Sequence, residues 1–212
     1  MSDLDKVLES DLDWRRAELA SLKILVLENR HRADRQHALL RSLWTLLYAH
    51  FEGFCKVAIE LYAEYLSKQK ITRESLVEPL VVTSLEGVFR EYEGDKSHTG
   101  KRAFLASLEI AMKSPAAFEL AVVESNLWSH VLAKILTSID IKCTYLEQVH
   151  TRIDTLVGRR NAIAHGDAVY VKDLADYQQF EDAVVLIMTE IALAVCENAE
   201  GRRFIRGISA TP

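Results

Sequence analysis

The stretch Arg159-Arg160-Asn161-Ala162-Ile163-Ala164-His165-Gly166-Asp167 sets strongly polar groups of complementary chemistry into an otherwise apolar helical pattern. Upstream, Leu146, Val149, Ile153 and Leu156 recur at helical spacing. The segment therefore reads as a helix from Leu146 to His165 that stops where Gly166 offers a permissive backbone. In that helix Asn161 and His165 stand four residues apart, one turn from each other on one face. Arg160 lies roughly 140° around the axis from His165, yet its long side chain can lean over the helix end toward the same spot. A guanidinium, an amide and an imidazole thus converge where the helix stops. The same letters fit a plainer reading, in which a histidine before glycine ends a helix and the Arg159-Arg160 pair is solvated surface.

Working outward, the first 28 residues read as an amphipathic helix on Leu4, Val7, Leu8, Leu12, Leu19, Leu22 and Val26, with a break expected near Asp11 or Asp13. From Arg32 to Ser67 runs the longest apolar pattern. Between Leu39 and Ala58 it is apolar on most sides, which implies burial by several neighbours and by a second subunit. His50, Glu52 and Lys56 are its polar exceptions. Glu52 either faces water beside Lys56 at i+4 or meets a cation, for which Arg160 is the partner expected.

Pro79, within Glu78-Pro79-Leu80-Val81-Val82, is expected to break the helical pattern, and Thr83-Ser84-Leu85-Glu86 to restart it as a capping box up to Gly94. Asp95 to Gly100 reads as a loop and Ala103 to Met112 as a helix that ends before Pro115. Asn126 is an N-cap candidate for a helix Leu127 to Ile139, Thr144-Tyr145-Leu146-Glu147 a second capping box, and Asp173 a cap for a last helix, Leu174 to Glu200. Gly201 should stop that helix and leave residues 202–212 frayed.

Four stretches together resemble one protein family. Arg160-Asn161-Ala162-Ile163-Ala164-His165-Gly166 is similar to the R-x(4-6)-H signature of the HEPN superfamily, in the R-N-x-I-A-H-G form of toxin-like prokaryotic members. Trp14-Arg15-Arg16-Ala17-Glu18-Leu19 resembles the opening helix of its MAE-type branch. Leu46-Leu47-Tyr48-Ala49-His50-Phe51-Glu52-Gly53-Phe54 resembles that branch's core helix. Ser125-Asn126-Leu127 with Val131-Leu132 fits its middle segment. The resemblance runs over nearly the whole chain. It implies an all-α, antiparallel helical bundle with short helices inserted at about 70–125. Such domains usually dimerise and are commonly metal-independent ribonucleases, although some only bind nucleotides or partners. Two copies of the motif usually meet to form the site. His165 is followed by Gly166-Asp167 and not by a tyrosine two residues on. A subfamily in which that tyrosine is modified by a partner nucleotidyltransferase is therefore a poor match.

Composition bounds these expectations. With 212 residues, 49% hydrophobic, 27% charged, only 8 glycines and 3 prolines, and no linker-like stretch, one domain over 1–212 is expected. No signal-peptide pattern opens the chain and no run reaches ~18 apolar residues, so a cytoplasmic protein with no membrane partner is expected. Cys55, Cys143 and Cys196 have no paired spacing, and the seven histidines make no ligand motif. Neither a metal nor another cofactor is implied. The net charge of -5 argues against a long nucleic-acid footprint and confines any RNA contact to local patches. Arg152, Arg159 and Arg160 flank the motif. The cluster Arg30, His31, Arg32, Arg35, His37 and Arg41 reads first as a solvated face.

The chemistry expected is RNA cleavage by the substrate's own 2′-hydroxyl. This needs a proton shuttle, which His165 would supply, and a phosphate clamp, for which the planar fork of Arg160 is suited. Asn161 would position substrate or His165, with Glu52 and Arg159 in support. The competing class is a non-catalytic module in which the same residues hold a nucleotide, an antitoxin or another protein partner.

Overall fold

The computed structural model describes residues 3–118 and 126–208. The described residues are all-α: eight α-helices and one 3₁₀ turn, with two isolated β-bridges and no strand. They fall into two compact units. The first comprises residues 1–58, 123–133 and 143–193, and the second residues 59–122, 134–142 and 194–212.

In the first unit, α1 (Asp3–Glu28) runs unbroken. The break expected near Asp11 does not occur, because Asp11 is held inside the helix: it accepts from Trp14 Nε1 at 2.8 Å and from Arg15 Nε at 2.8 Å. Leu8, Leu12, Leu19 and Val26 form the buried stripe of α1. The segment 33–58 of α2 (Ala33–Lys68) supplies the densest core, with Leu43, Trp44, Leu47, Tyr48, Phe51, Phe54, Cys55 and Ala58 fully buried. Its burial is not all round: Ala38, Ser42 and Ala49 are exposed. Helix α7 (Thr144–Ala164) buries Leu146, Val149, Ile153, Leu156 and Val157. Helix α8 (Leu174–Glu200) contributes Tyr177, Phe180, Val184, Ile187 and Ile191 to this unit. Asp173 accepts from Asp176 N at 2.8 Å and so caps α8 as its position suggested. Side-chain ties set α8 antiparallel to both α1 and α7: Arg16 to Thr189 and Lys23 to Glu181 on one side, Thr144 to Glu190 and Arg159 to Asp176 on the other.

In the second unit, Pro79 does not break a helix but stands in the first turn of α3 (Glu78–Ser84). The N–H it lacks has no intrahelical acceptor there, so proline is tolerated. Thr83 forms no capping box; its hydroxyl donates to Ser138 O at 2.6 Å, and α4 (Glu86–Gly94) begins directly after Leu85. Helix α5 (His98–Lys113) starts earlier than expected, inside the 95–100 loop, because Ser97 accepts from Gly100 N at 3.1 Å and acts as its cap. Arg73, in the 3₁₀ turn Arg73–Ser75, donates to Ser84 O, Ala111 O and Pro115 O, gathering the carbonyl ends of α3 and α5 on one guanidinium. The tail is not frayed over 202–208. Phe204 is 1% exposed, Val77 N donates to Phe204 O at 3.0 Å, and Leu76 bridges Ile205. Residues 209–212 lie outside the described residues.

Candidate functional site

The motif helix is fixed at its start by a group distant in sequence and at its end by its own neighbours. At its start, the expected capping box is replaced by Glu190 of α8. Its carboxylate accepts from Thr144 N at 2.8 Å, Thr144 Oγ1 at 2.7 Å, Tyr145 N at 2.9 Å and Cys143 Sγ at 3.1 Å. Burial alone would push the Glu190 carboxyl up, but these four donors outweigh it and hold the group below its ordinary value. At its end, His165 is the C-cap and Gly166 has φ +89. Gly166 N donates to Ile163 O at 3.1 Å and Asp167 N to Ala162 O at 2.9 Å, a Schellman closure that a side chain at position 166 would strain.

The structure brings Arg160 and Asn161 together and links Asn161 to His165. Arg160 Nη1 donates to Asn161 Oδ1 at 2.9 Å and to Asn126 Oδ1 at 2.8 Å. The carbonyl of Asn161 accepts from His165 N at 2.9 Å. The imidazole of His165 is exposed and makes no hydrogen bond to the described residues. Asn126 is therefore not the cap of α6 (Ser129–Ser138). That role falls to Asp154 of α7, which accepts from Ser129 N at 2.9 Å and leaves the Asn126 amide free to hold Arg160.

Tyr48 of α2 is the residue that sequence reasoning passed over. The guanidinium of Arg160 lies 4.3 Å over its ring. The hydroxyl accepts from Leu127 N at 2.8 Å and has the Glu52 carboxylate as a hydrogen-bonding neighbour. Burial first, and the Glu52 charge after it, push the phenol up to about 12, so it acts as a neutral donor and platform. Its signal was present in the Leu46–Phe54 stretch, but nothing local said which residue its ring would meet.

The two expected supports take other places. Glu52 pairs with Lys56 at 2.9 Å and not with Arg160; it reaches the site only through the Tyr48 hydroxyl. Arg159 turns from its neighbour to Asp176 at 3.1 Å and stacks 4.6 Å over Trp44 and 5.4 Å over Phe180. Consecutive residues on a helix point about 100° apart, so the pair divides: Arg159 is neutralised by a carboxylate, whereas Arg160 is held by neutral amides and an aromatic face. No described carboxylate pairs with Arg160, and none of the described residues accepts from its Nε or Nη2. The charge of Arg160 is positioned without being cancelled.

Arg41, from the basic cluster of α2, anchors the chain after the motif. Its Nη1 donates to Asp167 O at 2.8 Å and Val169 O at 3.2 Å. An open groove of about 500 Å³ runs beside it, walled by Ala38, Ser42, Thr45, Leu46, Ala49 and Ile163. Among the described residues no three His, Cys, Asp or Glu side chains are grouped to hold a metal ion, and no helix is long and apolar enough to cross a membrane.

An all-α chain whose longest helix carries Tyr-Ala-His-Phe-Glu-Gly-Phe and whose motif helix ends in Arg-Asn-x-Ile-Ala-His-Gly has the elements of a HEPN domain. Compared with protein-family models, the chain matches the HEPN_MAE_28990-like HEPN family over residues 4–204, and it belongs to that family. No curated protein and no solved structure matches it.

Proposed function

We propose that this HEPN protein is a metal-independent endoribonuclease of toxin or defence type. The observation that carries the reading is the uncancelled, aromatic-backed charge of Arg160 one residue before Asn161 and five before an exposed His165. Arginine keeps its charge and presents five donors, of which Nη1 spends its own on Asn126 and Asn161 while Nε and Nη2 remain for two phosphate oxygens. In the reaction the 2′-oxygen attacks the adjacent phosphorus, the bond to the 5′-oxygen breaks, and a 2′,3′-cyclic phosphate and a 5′-hydroxyl result. His165 moves the proton, a role typically worth ~10²–10⁴ in rate. Asn161 holds Arg160 through its amide and the helix end through its carbonyl.

The acting form is a homodimer, in which two copies of the motif surround one phosphate. The groove between Ala38, Ser42, Ala49 and Ile163 supports this, because small side chains there leave room for a second helix close to the motif. A monomer by light scattering at micromolar concentration would count against the shared site. A second reading, a non-catalytic module that binds nucleotide, an antitoxin or another protein, is favoured by one observation: no described residue orients the His165 ring. Cleavage of a labelled single-stranded RNA in excess chelator separates the two. Wild-type protein should cut, His165→Ala should lose cutting while keeping its thermal melt, and Arg160→Lys should be impaired because a lysine lacks the fork. RNA left whole by the wild type, or cut at full rate by His165→Ala, would replace the ribonuclease reading with the binding module.

A further inference from the structure

Just past the motif, residues 167–173 run without helix, and exposure alternates along them: Tyr170 and Lys172 are exposed, Val171 is 1% exposed, and Val169 is half-buried. Extended chain turns alternate residues to opposite sides, so Tyr170 and Lys172 share the outer one. Tyr170 is 72% exposed, the most open of the large apolar side chains among the described residues. It is nevertheless held: Arg41 grips the carbonyls of Asp167 and Val169 behind it, and His37 of α2 stacks on its ring with centroids 5.8 Å apart and planes 24° from parallel. Around the stacked pair lies a cavity of about 480 Å³, walled also by Asp34, Gln36, Leu40 and Lys172. His37 backs the Tyr170 ring from the protein side, with its Nε2 buried. An aromatic face left in water is unfavourable for the free protein, and a flat ligand stacked on it relieves this.

We propose that the Tyr170–His37 shelf binds an unpaired nucleobase of the RNA strand that His165 and Arg160 act on. The ring of Tyr170 stacks on the base with its open face, Lys172 stands by the backbone phosphate, and Gln36 and Asp34 offer partners to the base edge. The shelf lies five residues from His165, at most about 18 Å along the chain, which a few nucleotides span. It also answers the net charge of -5: stacking supplies affinity that a long basic face would otherwise have to provide. The substrate is then a single strand, since a base in a duplex has no free face to give. This inference rests on the RNA reading above, but not on cleavage itself.

The test is a binding cycle on protein carrying His165→Ala, so that RNA stays whole, using a fluorescent single-stranded oligonucleotide and a series of copies with one abasic position each. Tyr170→Ala should weaken binding ten-fold or more and Tyr170→Phe should not, with thermal melts unchanged because the ring is exposed. One abasic position should weaken binding to Tyr170 protein equally and weaken Tyr170→Ala no further. Effects that simply add at every abasic position, undiminished binding by Tyr170→Ala, or no RNA binding at all would overturn the shelf. Cleavage by the His165 protein is scored separately: RNA that is bound through the shelf yet left whole removes the ribonuclease reading and leaves the shelf standing.

Discussion

The guanidinium of Arg160 lies 4.3 Å over the ring of Tyr48, so the motif's cation rests on the same phenol whose hydroxyl ties α2 to Leu127. Tyr48→Phe keeps the platform and removes the hydroxyl, leaving the buried N–H of Leu127 unpaired. We expect a loss of about 1–3 kcal/mol in urea unfolding with RNA cleavage retained per folded molecule. Tyr48→Leu should lose stability and cleavage together. A Tyr48→Phe protein as stable as wild type would mean the hydroxyl bonds contribute nothing.

Arg159 and Arg160 should separate in function. Arg159→Ala loses the ion pair with Asp176 and the stack on Trp44, and should cost about 1–2 kcal/mol while RNA is still cut. Arg160→Ala should abolish cutting. The crossed pattern is read from melts and cleavage rates of the two variants; cleavage lost in Arg159→Ala at full stability would reverse the assignment.

Glu190→Gln tests whether α7 is capped from outside. A carboxylate takes four donors at the start of that helix, and the neutral amide keeps the shape but loses two acceptor lone pairs and the charge. A loss of about 1–3 kcal/mol is expected at pH 7. The folded group sits below its ordinary 4.5, so its contribution is present above that value and fades as pH falls through the folded one. Wild type and Glu190→Gln should therefore converge in stability toward strongly acid pH, as melts across pH would show.

His50 gives a second pH effect of the same sign, in a window nearer neutrality. It is 2% exposed, with Glu18 Oε2 3.0 Å from Nε2, Arg15 Nη1 3.4 Å from Nδ1, Asp11 held on Arg15, and the Trp14 ring edge-on at 5.2 Å. Burial pulls the imidazole below its ordinary 6.5, and Arg15 adds to this against the pull of Glu18 and Asp11. The unfolded chain then binds a proton that the folded chain refuses, so stability from this residue is complete above 6.5 and is lost as pH falls below it. His50→Gln should flatten the melting temperature between pH 7 and the folded value. An unchanged slope in that window would assign the effect to other groups.

How much was legible in the sequence follows from the range of each interaction. The helices α1, α2, α7 and α8 were readable because apolar side chains repeat at the helix's own period, and the end of α7 was readable because a Schellman closure needs only Gly166 and its neighbours. The caps were not. Thr83 and Thr144 have the letters of capping boxes, but Ser138 O and Glu190 outcompete those local bonds, and Asn126 leaves the helix start for Arg160 because Asp154 takes its place. Phe204 looked like part of a loose tail, since one aromatic residue after Gly201 has no period to announce its burial.

By itself the sequence determined the helical class, the family resemblance, and the nearness of Arg160, Asn161 and His165, since a helix places residues one to five apart by geometry alone. Only the tertiary structure decided what those residues meet. Tyr48 and Arg160 are more than a hundred positions apart, as are Arg41 and the carbonyls of Asp167 and Val169, and His37 and Tyr170. Which of two adjacent arginines is cancelled by a carboxylate and which keeps its charge depends on the helices packed against α7. Periodicity reports that a face is buried; it carries no information about the side chain on the other side of it.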